Sequence, residues 1–405
     1  MKGTFGLLVY GFLVLRKAFK IITKGGIKMG KTEKKKKSKG KQWIVMLLFM
    51  AIGFACGLVM IDYVEASGGS PAKSLGKLLF LFIMMYIMIL VQMVIHEAGH
   101  LVFGLASGYR FSSFRIMNFM WLKENGKIRH RRFSLAGTGG QCLMGPPDLQ
   151  DGKIPVILYN LGGALMNMIT ALIFFCLYCI VPDSFYFSIM MLMLAIIGVG
   201  IAVMNGVPLK LGMVNNDGYN AYELSKGGMP LRAFWLQLKV NEQIAKGIRL
   251  KDMPEEWFSI PSDDEMQNGM IAVKGVLVCN RLMDRQDFEE ADKLMQHFLE
   301  IDSGIVGLHR CLLVCDRMYC GLISGRKENV EALLTKEQKN LMKSMKKSPS
   351  VLRTEYTYAL LGKNDVSKAE KIKALFETCA KTYPYQIEVD AERGLMCIAD
   401  RQREI

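Results

Sequence analysis

Long apolar runs separated by polar connections fill the chain up to about residue 230, after which its character changes. Four runs are long enough, at 1.5 Å of helix per residue, to cross about 30 Å of hydrocarbon. They cover Trp43–Ile61, Leu78–Ser107, Ile154–Val181 and Phe185–Asn205. The second and third exceed that minimum, so tilting or breaking is expected of them. Between them, Phe111, Phe114, Ile116, Phe119 and Trp121 alternate with polar residues in short runs. That period belongs to strands, and the Gly137, Gly139, Gly140, Gly145, Pro146 and Pro147 that follow predict a flexible loop after the hairpins. Gly206 and Pro208 end the fourth run, and a short helix is expected from Asp217 to Ser225 before Gly227-Gly228-Met229-Pro230 stops it.

From Leu231 the pattern is that of soluble helices. Asp287-Phe-Glu-Glu-Ala291 followed by Phe298 is echoed, with the same offsets, by Asp365-Val-Ser-Lys-Ala369 followed by Phe376. An alanine and an aromatic on one helical face after a turn resemble the second helix of a tetratricopeptide repeat. The predicted fold is mainly α. It is a polytopic membrane protein with about four transmembrane helices, a small β-hairpin region on the cytoplasmic side, and a C-terminal helical, tetratricopeptide-like domain. The expected divisions are a basic segment over 1–42, a membrane-embedded core over 43–230 and a cytoplasmic helical domain over 231–405.

Composition agrees: 51% of residues are hydrophobic, too many for an ordinary soluble enzyme of 405 residues. The net charge of +15 matters through its placement. Lys28, Lys31, Lys34 to Lys37, Lys39 and Lys41 precede the first span, and Arg110, Arg115, Lys123, Lys127, Arg129, Arg131, Arg132 and Lys153 fill the connection after the second. By the positive-inside rule the N-terminus, the 108–153 segment and the C-terminal half are cytoplasmic, and a bacterial plasma membrane is the expected location. The lysine cluster is read as touching anionic lipid, with no nucleic-acid partner. Lys24-Gly25-Gly26-Ile27-Lys28-Met29 can be encoded by a purine-rich stretch of ribosome-binding type ahead of an ATG, so Met29 is the expected start and residues 1–28 are expected to be untranslated. The ten cysteines follow no disulfide framework. Cys311, Cys315 and Cys320 near His309 fit no common zinc spacing and are assigned to helical core.

The chemistry is concentrated in the second span. His96-Glu97-Ala98-Gly99-His100 is a HExxH motif, which sets two imidazoles on one face of a helix, where they can share one metal ion. Ionisable groups in a span are costly and mark function. The metal expected is Zn2+, with Glu97 as general base toward the water it activates. A third ligand must come from elsewhere, and the acidic candidates near the membrane are Asp62, Asp148, Asp151, Asp183, Asp217 and Glu223. Topology puts Asp62 and Asp183 on the outer side. The motif lies about 14 Å inside the boundary near Gly108, so a ligand from the inner side needs a chain that folds back. Asp217, after a proline-broken span, meets that condition, with a helix N-cap as its alternative role.

These residues resemble a known family. His96-Glu-Ala-Gly-His100-Leu-Val-Phe-Gly-Leu-Ala106-Ser-Gly108 looks like the first block of the site-2 protease family of intramembrane zinc metalloproteases. Asn160-Leu-Gly162-Gly163-Ala-Leu-Met-Asn167 is similar to its small-residue-plus-Asn segment, and Asn205, Pro208 and Asp217-Gly218 to its Asn–Pro and Asp-Gly block. The resemblance covers about residues 78–225 and implies a three-helix core around zinc, with Asp217 as third ligand. It further implies cleavage of membrane-embedded substrates and a role for Asn167 in holding substrate near the metal. Two departures are a longer Pro208-to-Asp217 stretch and Tyr219 in place of a second glycine.

The expected partners are a membrane protein or peptide substrate, the lipid bilayer, and a protein partner for the helical half. Two alternatives stand beside this reading: a protease for maturation or export of a ribosomal peptide precursor, and a non-catalytic scaffold with a vestigial metal site. The intact Glu97 argues against the scaffold, which needs no base.

Overall fold

The computed structural model describes residues 34–124, 126–133, 139–181, 185–211 and 214–404. The proposed start at Met29 and the segment before it lie outside the described residues. Leu47–Ile405 forms one compact unit. Among the described residues, four helices are long and apolar enough to cross a membrane. They are α1 (Lys34–Ala66, apolar from Met46), α2 (Pro71–Ala106), α3 (Val156–Ile180) and α4 (Phe185–Gly206). Each falls where the apolar runs predict, and Pro71 starts α2 at the position where a missing N–H does no harm. Leu79, Phe80, Phe82, Ile83, Leu172 and Ile173 point outward, as they should where hydrocarbon is the solvent. The fourth helix is the most enclosed, with Leu192, Met193, Leu194, Ala195 and Ile197 all buried.

The helices α2 and α3 meet at Gly99 and Gly162. A Cβ on Gly162 would stand 2.7 Å from the Gly99 carbonyl oxygen, so only hydrogen fits there. Backbone thus packs on backbone, in the manner of small-residue contacts between membrane helices.

After α2 the chain enters a sheet of β1 (Arg110–Ile116), β2 (Phe119–Glu124), β3 (Lys127–Arg132) and β4 (Gly140–Gly145). Their spatial order is β3-β2-β1-β4, antiparallel throughout, with Phe114 opposite both Trp121 and Cys142. The hairpins were expected. The glycine-containing stretch was read as loop, and over Gly140–Gly145 that reading is corrected: it is the fourth strand. Its glycines serve close approach. A Cβ on Gly140 would meet the Glu97 carboxyl carbon at 2.8 Å, and one on Gly145 the Glu242 carboxyl carbon at 2.6 Å.

Beyond α4 a two-residue hairpin, β5 (Lys210–Leu211) with β6 (Val214–Asn215), leads into α5 (Asp217–Leu224) and then α6 (Gly228–Ala245). The sixth helix braces the sheet: Arg110 pairs with Glu242 at 3.0 Å, and Trp235 donates from Nε1 to the Pro147 carbonyl at 2.9 Å.

The remainder is helical and includes α7 (Gly269–Arg285), α8 (Phe288–Glu300), α9 (Gly307–Ile323), α10 (Pro349–Thr357), α11 (Val366–Ala380) and α12 (Gln386–Glu404). The sequence echo falls on α8 and α11, where Ala291, Phe298, Ala369 and Phe376 are all buried. Arg353 is wholly buried, donates to both Asp316 and Glu392, and lies over the Tyr319 ring. Cys311, Cys315 and Cys320 are buried in this helical core. Phe133, beyond β3, meets Tyr383 edge-on at 5.6 Å and ties the helical half to the sheet.

Candidate metal centre

Only one group of three or more His, Cys, Asp or Glu side chains with metal-ligand spacing occurs among the described residues. It is His96, His100 and Asp217. The helical offset of four residues turns both imidazoles of α2 toward α3 and α5. His96 Nε2 lies 3.2 Å from His100 Nε2 and 3.0 Å from Asp217 Oδ2, and His100 Nε2 lies 3.3 Å from the same oxygen.

The histidine tautomers follow from the outer partners. His100 Nδ1 stands 2.8 Å from the Tyr159 carbonyl, which can only accept. His96 Nδ1 stands 2.7 Å from Asn167 Oδ1, also an acceptor. Both Nδ1 atoms therefore carry the proton, and both Nε2 atoms turn a lone pair inward toward a carboxylate oxygen. Three lone pairs converging on one point repel unless a cation lies among them. Three ligands about 2.0–2.1 Å from a tetrahedral zinc are spaced about 3.3 Å apart, close to the triangle found here. The donor set of two imidazoles and a carboxylate also matches zinc chemistry. The residues fit the ion.

Room for the site comes from Gly163 on α3. A Cβ there would lie 2.5 Å from His96 Cε1, 2.6 Å from His96 Nε2 and 2.7 Å from His100 Nε2. Glu97 is nearly buried, one residue around the helix from His96, with the backbone of β4 against it at Gly140.

Asp217 reaches the histidines through a device that sequence reasoning missed. The N-cap of α5 is Asn216, not Asp217. Its Oδ1 accepts from Tyr219 N at 2.9 Å and Leu209 N at 3.0 Å. Its Nδ2 donates to Met204 O at 2.7 Å and Val207 O at 2.6 Å. One amide therefore closes the end of α4, which Pro208 leaves with unpaired carbonyls, and opens α5. Asp217, at the first helical position, keeps its carboxylate for the imidazoles. Gly218 lets α5 sit against α4, because a Cβ there would run into the Gly206 carbonyl. An Asn next to a candidate Asp after a broken span was the available signal. Asn216→Ala is expected to cost about 2 kcal/mol of stability and to weaken zinc binding at least tenfold, read by thermal unfolding in detergent and by chelator competition.

The other acidic candidates lie elsewhere. Asp148 pairs with Lys239 at 3.0 Å, Glu223 with Lys226 at 2.6 Å, Asp62 is exposed on α1, and Asp151 sits in a turn at positive φ. Asp183 lies outside the described residues. Asn205 turns its amide back on the Ile201 carbonyl. Asn167 commits both ends of its amide to protein: Oδ1 to His96, and Nδ2 to the Gln92 carbonyl at 3.0 Å and Gln92 Oε1 at 2.7 Å.

Comparison with known proteins adds one finding. The model of the family described as Peptidase family M50 matches residues 84–350. None of the curated proteins or solved structures compared gives a match.

Proposed function

The chain belongs to peptidase family M50, the site-2 protease family, and from that premise we propose that it is a zinc metalloendopeptidase that cuts membrane-embedded or membrane-associated substrates. It is a protease by family and a membrane protein by its four apolar helices. The observation that carries the finer reading is the triangle of His96, His100 and Asp217, whose edges of 3.0 to 3.3 Å suit a single small cation. When bound, zinc supplies Lewis acidity toward a peptide carbonyl and makes an adjacent water acidic enough to ionise near neutral pH.

The rest falls to the chain's own residues. The Glu97 carboxylate takes the proton of the attacking water and returns it to the amide nitrogen as the peptide bond breaks. Tyr159 and Asn167 hold the two imidazoles in the ligating tautomer, so Asn167 acts through His96. A helical substrate hides its carbonyls in its own hydrogen bonds and must unwind locally. The edge strand β4, with Gly140 against Glu97, offers main-chain partners to the unwound segment by strand addition. The polybasic segments support reading the N-terminus, the sheet and the helical half over 231–405 as lying on the cytoplasmic side of a plasma membrane. The helical half is read as a tetratricopeptide-like platform for a protein partner.

The test is metal removal. Cleavage of a single-span substrate in reconstituted vesicles should fall by about a hundredfold or more on chelation and return with one equivalent of zinc. Turnover that survives complete zinc removal would overturn the reading.

A further inference from the structure

Gln92 lies one helical turn before His96 on α2 and is wholly buried in a segment otherwise filled with Leu, Ile, Val and Met. A neutral amide at that depth is destabilising unless its nitrogen and oxygen both find partners. Here both do, across three helices. Gln92 Nε2 donates to the Leu194 carbonyl of α4 at 2.8 Å, and Gln92 Oε1 accepts from Asn167 Nδ2 of α3 at 2.7 Å. Space for the amide is made by Gly198 of α4, where a Cβ would lie 2.8 Å from Gln92 Nε2 and 3.1 Å from Ala171 Cβ.

The direction of these bonds is forced from one end. The Leu194 carbonyl can only accept, so Gln92 must turn its Nε2 toward α4 and its Oε1 toward Asn167. Asn167 must then present Nδ2 to Gln92 and Oδ1 to His96. An acceptor facing His96 Nδ1 requires the proton on that nitrogen, which leaves the Nε2 lone pair for the metal. A main-chain carbonyl on α4 and that of Gln92 itself thus agree, through two amides, on the tautomer of an imidazole on α2.

We infer that Gln92 is a positioning residue for the metal centre, fixing the flip of Asn167 and through it the tautomer and ring angle of His96. The inference rests on the zinc reading of the site. The main-chain carbonyl of Gln92 takes one Asn167 hydrogen at 3.0 Å. Without the side chain the other hydrogen is unpaired, and the amide is no longer held from both sides.

The experiment uses the full chain in detergent micelles. Gln92→Met conserves length and apolar fit, and Gly198→Ala presses on the same amide from the opposite helix. Each should weaken zinc binding about tenfold in chelator competition. Each should also alter the visible absorption of the Co2+-loaded protein, because the ring angle at one ligand changes. His96→Ala is run alongside and should lose zinc altogether. If His96→Ala loses zinc while both variants keep wild-type affinity and an unaltered cobalt spectrum, this inference falls and the zinc reading stands. If His96→Ala retains zinc, the ligand assignment falls first. Lowered thermal stability of the apo-protein with unchanged affinity and spectrum would make Gln92 a packing residue only, which also overturns the inference.

Discussion

Glu97→Gln is expected to leave zinc bound at wild-type stoichiometry and to reduce cleavage by about 10²–10⁴-fold. The substitution keeps the shape of the side chain, so the Gly140 backbone of β4 that lies against it is not disturbed. It also leaves His96, His100 and Asp217 untouched, so the metal should stay. What disappears is a basic lone pair on the residue next to His96, and with it the route by which a proton leaves the attacking water. The measurement is paired: metal content by elemental analysis, and turnover of a single-span substrate in vesicles. A rate within tenfold of wild type would remove Glu97 from the role of base. In cells, comparison of the membrane proteome with that of the Glu97→Gln strain should reveal an accumulating precursor.

Gly163→Ala is expected to act on the other half of the centre and to empty it. The added methyl would lie within 2.5 to 2.7 Å of atoms of both imidazoles, beside the position the ion requires. Either the rings turn away or α3 retreats from α2. In both cases the ligand triangle opens, and zinc affinity should fall at least a hundredfold, with turnover following it. Alanine is favoured over glycine inside a helix by about 1 kcal/mol, so weakened helix formation cannot account for such a loss. One bound zinc per chain with near-normal turnover in this variant would mean that the ion does not lie between His96, His100 and α3.

The four spans, the HExxH helix and the nearness of Asp217 to its two histidines were legible because each rests on a local rule. Span length follows hydrocarbon thickness, the histidine offset follows helical pitch, and Asp217 is the first acidic residue after a broken span. What was not legible depends on contacts between segments far apart in sequence. Gly140 and Gly145 read as loop because glycine usually marks turns. Here they are strand residues facing carboxylates from α2 and α6. Asn216 was passed over because its four hydrogen bonds join ends of two helices that no periodicity links. Asn167 was expected to hold substrate near the metal, and the bonds of its amide to Gln92 and His96 join three distant stretches of sequence that no local rule connects. Gln92 drew no reading from the sequence, because its partners lie on two other helices. The echo around Ala291 and Ala369 falls on two helices whose alanine and phenylalanine are buried, a one-face pattern common to many helical hairpins.

The glycine pair at the crossing of α2 and α3 has a mechanical consequence. Interleaved side chains can change rotamer and let neighbouring helices slide, but two bare backbones in direct register have no such play. The spacing between the histidine helix and the helix bearing Gly163 and Asn167 is therefore set by main chain, not by side-chain rotamers. Any residue larger than glycine at either position would therefore push the two helices apart and carry His96 and His100 away from Gly163.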